Sequence, residues 1–260
     1  MADACAHCAK TKSESDPGID LKYCAKCQTT QYCSRECQKA DWKKHKKICA
    51  SNATAASANN NNNNNNNNTN TNNPPPPRTS GSARSTQPPP KNLSFAVDKP
   101  FHRLDSKTWM HGRPEQDVYK LLIDTYRLRM EDNYNLEGDA DEDSIYGGAR
   151  DGRQGFRRFL RLAEGRRGLL PSWWSQEKAA ECEAVGMRNG WSSLATALEK
   201  RNVIDHYGNP NMPMQLRMFG EQVYGRGPGG QSGALIRTLQ MQAERGDMVS
   251  STLDISSLLP

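Results

Sequence analysis

The chain has 260 residues, 35% of them hydrophobic and 25% charged, with a formal charge of +6. Its mean hydropathy of −0.89 is low for a fully packed globular protein, so part of the chain is expected to lie outside any core. No apolar run approaches the ~18 residues a membrane helix needs, and the start at Met1 shows no apolar core or cleavage pattern. Neither a membrane span nor a secretory signal is therefore expected.

Seven of the eight cysteines precede residue 50. A reducing compartment, nucleus or cytoplasm, is expected, and clustered cysteines there favour metal over disulfides. The candidate ligands are Cys5, Cys8, Cys24, Cys27, Cys33, Cys37, His45 and Cys49. A C-x2-C pair aims two thiolates at one tetrahedral metal, and residues four apart share a helix face. Cys33/Cys37 and His45/Cys49 can thus each share an ion. Eight ligands predict two zinc ions, four donors each, with no position left for water, so a structural role is expected rather than a catalytic one. The spacing permits either a sequential or an interleaved assignment. His7, inside the first knuckle, is expected to point to solvent.

Zinc also changes the charge argument. Residues 1–50 carry ten Lys or Arg against six Asp or Glu, a formal +4. Two zinc ions add +4 and seven thiolates −7, leaving about +1, because a coordinated thiol is deprotonated. The overall positive charge is then weak evidence for nucleic acid.

The run from Cys24, ending Cys37-Gln-Lys-Ala-Asp-Trp42-Lys-Lys-His45-Lys-Lys-Ile-Cys49, resembles the MYND finger family. The resemblance implies a small cross-braced α+β finger over 1–50. It also implies interleaved coordination, with Cys5, Cys8, Cys33 and Cys37 on one zinc and Cys24, Cys27, His45 and Cys49 on the other. It further implies capture of proline-rich peptides in a groove whose matching residues here are Gln38 and Trp42. An indole face suits a pre-extended polyproline chain at little entropic cost. The competing reading is that Trp42 packs a small core. A groove serine of some family members falls at Arg35 here, which puts peptide preference in doubt. Lys43, Lys44, Lys46 and Lys47 form a basic run that could contact phosphates. No aromatic platform accompanies it, so a solvated face is expected and nucleic acid is not the favoured partner.

Residues 51–92 are low complexity, with an asparagine run from Asn59 to Asn68 and proline runs at Pro74–Pro77 and Pro88–Pro90. Such a stretch cannot bury enough apolar area to offset its ordering entropy, which predicts a disordered linker. Pro88–Leu93 could reach the Trp42 groove as a tethered ligand, although a plain spacer is the simpler expectation.

From residue 93 to 225 helical spacing returns. Val118, Leu121, Leu122 and Leu128 predict a helix over about 114–134. Phe156, Phe159, Leu160 and Ala163 predict a second, and Pro171-Ser172 is expected to open a third through Trp173 and Trp174. Leu194, Ala197, Leu198 and Arg201 predict a fourth; Met214, Met218, Phe219 and Val223 a fifth. A mainly α-helical domain follows. His111–Arg129, Gly155–Glu164 and Leu169–Trp174 resemble a block found behind MYND fingers in filamentous fungi, which implies no activity. Trp173 and Trp174 are expected as core anchors or helix-cap packing, Arg157, Arg158, Arg161, Arg166 and Arg167 as solvated surface, Asp139–Asp143 as an acidic loop and Cys182 as a buried thiol. Gly225–Gly230 matches a dinucleotide loop in letters only, because a helix precedes it and Pro228 interrupts it. Residues 226–260 are expected as a flexible tail with at most one short helix, from Ala234.

Some MYND proteins also carry a SET methyltransferase domain, but that domain is β-rich and longer than what remains here. No catalytic constellation is apparent, so the sequence predicts a non-enzymatic adaptor binding proline-rich segments. The alternative is a transcription-linked regulator contacting nucleic acid or chromatin proteins through the basic face. The oligomeric state is left open.

Overall fold

A computed structural model describes residues 4–11, 21–24, 27–58, 88–138 and 140–246. Most of the predicted linker, residues 59–87, lies outside them.

The finger is built around two tight knuckles and one helix. At the first knuckle Ala9 N–H donates to Cys5 O, with Ala9 at φ 57°, and at the second Gln28 N–H donates to Cys24 O, with Gln28 at φ 52°. The second knuckle lies within a two-stranded antiparallel hairpin, β1 (Lys22–Tyr23) with β2 (Gln31–Tyr32), in register Lys22↔Tyr32. Ala6 N–H donates to Gln31 O and ties the first knuckle to the hairpin. Ser34 Oγ accepts from Cys37 N–H at the start of α1 (Arg35–Ala58). That helix continues eight residues past the predicted finger boundary at 50.

The helical body is organised on α3 (Glu115–Asp132), where every residue from Asp117 to Asp132 except Lys120 is buried. A helix covered on all sides is normally apolar, so the charges on this one must be paired. Asp124 receives Arg127 Nη1 at 2.8 Å, Trp191 Nε1 at 2.9 Å and Tyr207 Oη at 2.6 Å. Arg129 donates to Arg226 O at 2.7 Å, and Asp132 receives two bonds from Arg217, at 2.8 and 2.7 Å. These bonds let helices on different sides of α3 share it as a common core.

Helices α4 (Arg153–Glu164), α5 (Gln176–Gly186) and α7 (Met212–Tyr224) pack on α3, and α6 (Lys200–Tyr207) packs on α7. Phe156, Phe159, Leu160 and Ala163 form the buried stripe of α4. Gly155 lies so close to Tyr126 that a Cβ there would stand 2.2 Å from its hydroxyl. The 114–134, second and fifth predicted helices match α3, α4 and α7.

Two helices begin later than predicted. Trp174 N–H bonds back to Pro171 O, so Pro171–Trp174 is a turn, and α5 begins only after Ser175 caps it by accepting from Lys178 N–H. Leu194 and Leu198 are buried at helical spacing, but Leu194 lies in a loop that bonds to Gly186 O and Gly152 N–H. Helix α6 starts at Lys200, behind a Glu199/Asn202 capping box.

The boundaries also move. Lys91 N–H donates to Tyr207 O and Asn92 Nδ2 to His206 O, so residues 88–92 belong to the body rather than to the linker. Residues 226–260 are not wholly a free tail. Helix α8 (Ala234–Arg245) places Glu244 against α2 (Pro100–Asp105), which composition did not suggest. The Glu244 carboxylate accepts from Phe101 N–H, His102 N–H and His102 Nδ1, so one side chain satisfies donors of a helix with no side-chain cap of its own. Residues 247–260 lie outside the described ones.

The arginine face of α4 is engaged rather than merely solvated. Arg153 and Arg157 hold Glu183 of α5, and Arg158 holds Asp141 and Asp143 from the predicted acidic loop. Trp173 and Trp174 meet Tyr119 edge-on, and Cys182 is fully buried. The loop after α7 is held by Arg129, which donates to the carbonyls of Arg226 and Gly227. Among the described residues no helix is long and apolar enough to cross a membrane.

Candidate metal centre and the face beside it

The eight predicted ligands fall into two quartets, Cys5/Cys8/Cys33/Cys37 and Cys24/Cys27/His45/Cys49, with the donor atoms of each within 4.8 Å of one another. The interleaved assignment is the one observed. At a Zn–S bond of about 2.3 Å, a tetrahedron sets its sulfurs about 3.8 Å apart. The observed Sγ–Sγ distances are 3.4 Å for Cys8–Cys33, 3.6 Å for Cys33–Cys37 and 3.8 Å for Cys24–Cys49, and His45 Nε2 lies 3.6 Å from Cys27 Sγ. These exceed a disulfide bond by well over an ångström, and all the cysteines are free.

The electrostatics suit a bound cation. Bonds from Cys24 and Cys49 pull the Cys27 thiol far below its usual range, while Cys24 and Cys27 push Cys49 far above it. Burial opposes a charge on His45, yet the sulfurs of Cys24 and Cys27 outweigh it and lift the imidazole to about 9. In the other quartet, burial raises Cys5, but backbone donors from Cys8, Cys33 and His7 bring it down to about 6. Bonding to Cys8 pushes Cys33 up to about 12. Several sulfurs forced together cannot all ionise alone; a divalent ion lets them do so. The two quartets hold two structural zinc ions. Helix α1 joins them, since Cys37 serves one and His45 and Cys49 the other, about 12 and about 18 Å further along the axis. His7 is exposed, as expected.

Gln38 and Trp42, one turn apart on α1, face the helical body instead of open solvent. Trp42 is only 7% exposed, and its ring lies 4.1 Å from that of Tyr134, in the π turn Asn133–Glu137 that continues α3. Gln38 Nε2 donates to Tyr134 Oη at 3.2 Å, and Tyr134 Oη stands 3.3 Å from Cys24 Sγ. A zinc-bound thiolate can only accept, so the phenol donates to it. Burial and the Cys24 charge hold that phenol well above its ordinary pKa, and it remains a donor at neutral pH. Behind it Tyr134 stacks on Tyr146 at 5.2 Å. Gly138 follows at φ 64°, where a Cβ would stand 2.8 Å from Trp42 Cδ1.

Pro88–Pro90 line a cavity beside Tyr207 and Gly208 of the body, and not the Trp42 face. Lys43, Lys44, Lys46 and Lys47 are all exposed. Tyr134 and Gly138 were absent from the sequence reading, because nothing local ties residue 134 to a metal ligand 110 positions earlier.

The sequence pattern of the MYND finger family matches residues 5–49. Those residues are a MYND finger. SET domain-containing protein 14 of Caenorhabditis elegans is 51% identical over 35 residues, covering 14% of this chain and 8% of that relative. The chain thus spans less than a tenth of that relative's length in this match. No solved structure matches the chain. MYND fingers are protein-interaction modules, and the family match ends at Cys49. The resemblance of the helical body to fungal counterparts therefore gains nothing from it.

Proposed function

We propose that this chain is an adaptor without catalysis of its own, whose MYND finger recognises proline-rich segments of partner proteins through Gln38 and Trp42. One observation carries the reading: that face already holds a protein segment, the Tyr134–Gly138 turn, with ring centroids 4.1 Å apart. A tethered segment competes at high effective concentration, so a partner gains access by displacing Tyr134. The finger is then an interaction module held by its own chain until a tighter ligand arrives. The cysteine-rich ligand set suits a reducing compartment, nucleus or cytoplasm.

The test uses the full zinc-loaded chain and a Pro-Pro-x-Leu-Pro peptide in calorimetry. Tyr134→Ala should bind the peptide at least tenfold more tightly than the parent, and adding Trp42→Ala should abolish the gain. No saturable heat with Tyr134→Ala, both zinc ions being retained, would sink the proposal.

A second reading rests on the exposed lysines at 43, 44, 46 and 47, for which no ion pair is seen among the described residues. It makes the chain a transcription-linked regulator that contacts nucleic acid or acidic chromatin proteins. Binding to duplex DNA that weakens steeply with salt, and with Lys→Ala changes there, would favour it.

A further inference from the structure

A cavity of about 370 Å³ opens in the helical body, remote in character from the zinc centres. One wall is hydrocarbon: Pro88–Pro90, Val97, Pro100 and Met212. Arg113, immediately before α3, lines it. Arg113 is only 5% exposed, so its charge is almost wholly withdrawn from bulk solvent. Its Nε donates to Trp109 O at 2.9 Å and its guanidinium lies 5.1 Å from the Trp109 ring centre, but its buried Nη1 has no partner among the described residues.

A buried cation normally has an anion beside it. The nearest carboxylate in influence, Asp117, is committed elsewhere: it accepts from Ser94 N–H, Ser94 Oγ and Phe95 N–H, and forms no ion pair with Arg113. Burial, with Arg103 adding repulsion, brings Arg113 down to about 10 despite Asp117. The charge is therefore poorly compensated by the protein.

Two other polar groups at the cavity, Gln215 and Lys91, can also donate. Trp109 Nε1–H can only donate, so the Gln215 atom it meets at 3.2 Å must be the amide oxygen, and the amide hydrogens are left uncommitted. Lys91 stands at the same cavity, and the first turn of α7, Met212 to Gln215, brings a positive helix end. Among the described residues no carboxylate lines it.

We propose that this cavity binds a small organic carboxylate, its anionic end on Arg113 and the Gln215 amide and its apolar body against the proline wall. The volume is in the range of small-molecule sites, which pair an apolar lining with a few convergent polar groups. One buried guanidinium and one amide suit the two oxygens of a carboxylate, and the proline wall suits an organic body that inorganic phosphate lacks. This site is independent of the finger and of its peptide reading.

The probes are 2-naphthoate, the uncharged 2-naphthylmethanol and inorganic phosphate, titrated calorimetrically into the full zinc-loaded chain. Naphthoate should bind one site per chain, with the alcohol at least tenfold weaker and no displacement by phosphate. Arg113→Met should weaken naphthoate tenfold or more. Because Arg113→Met removes a buried bond to Trp109 O and could disturb folding, Ala96→Trp provides a second test. Ala96 is a half-buried residue lining the cavity, and tryptophan there fills the space while leaving Arg113 in place. It should abolish binding without moving the unfolding midpoint. No saturable binding, equal binding of acid and alcohol, displacement by phosphate, or binding undiminished by Ala96→Trp would each overturn the assignment.

Discussion

Tyr134→Phe removes one oxygen and leaves the ring, so the contacts to Trp42 and Tyr146 persist while the bonds to Cys24 Sγ and Gln38 Nε2 are lost. Gln38 is half-buried and can turn to water, so the decisive loss is the phenol's bond to a zinc thiolate. A hydrogen bond to a charged group contributes about 1.5–3 kcal/mol net, or roughly ten- to 150-fold in an equilibrium constant. Outer-shell partners of metal ligands typically alter metal affinity by about 10–100-fold, which is the same scale. Tyr134 touches only the Cys24/Cys27/His45/Cys49 quartet, so the two zinc ions should separate in a chelator titration of the full chain. One ion should leave Tyr134→Phe at a tenfold or greater lower chelator activity than in the parent, and the other should leave unchanged. If both ions leave parent and variant at the same chelator activity, the phenol is not a support of the metal site and the coupling argued here is wrong.

The interleaving predicts zinc counts: Cys5→Ser with Cys33→Ser should leave one zinc per chain, whereas Cys5→Ser with Cys24→Ser should impair both sites, as read by elemental analysis. Gly138→Ala should lower the denaturation midpoint more than Gly229→Ala. Both need positive φ, about 1–2 kcal/mol for an L residue, but only Gly138 would also drive a Cβ into Trp42, whereas Gly229 has open space around it. Glu183 gives a pH test. Burial opposes its charge, but Arg157 and Arg153 outweigh that and hold the carboxyl below its ordinary range. A depressed folded pKa contributes stability above the unfolded value near 4.3, lost as pH falls through the folded value. Glu183→Gln should therefore cost about 1 kcal/mol at pH 7, with half-exposed arginines keeping it modest, and the parent–variant gap should close progressively below about pH 4 in urea melts.

What the sequence disclosed depended on how local the signal was. Ligand spacing lies within fifty residues, and C-x2-C and C-x3-C geometry leaves few alternatives, so the zinc donors were legible, with the family resemblance resolving the pairing. Helices α3, α4 and α7 declared themselves through periodic apolar residues. The late starts of α5 and α6 were hidden because side chains packed from irregular backbone, the half-buried Trp173 and the buried Leu194 among them, imitate helical spacing. Helix α2 went unseen at six residues, and its amino-terminal donors are satisfied by Glu244, more than 140 positions away. The burial of the α3 charges was not legible, since nothing local announces that Arg217 and Trp191 will meet them.

Gln38 and Trp42 show the same limit from the functional side. The resemblance implied a groove and the competing reading implied a small core. Trp42 is buried, but what covers it comes from residues 134–138 and not from the finger alone. Fifty residues with few large apolar side chains depend on metal for their fold, since structural zinc supplies on the order of 10–16 kcal/mol in finger peptides. The indole left at the edge of such a unit still carries hydrophobic area that must go somewhere. In this chain it goes onto the end of α3, beside a thiolate that needs a donor, and Tyr134 answers both requirements with one side chain.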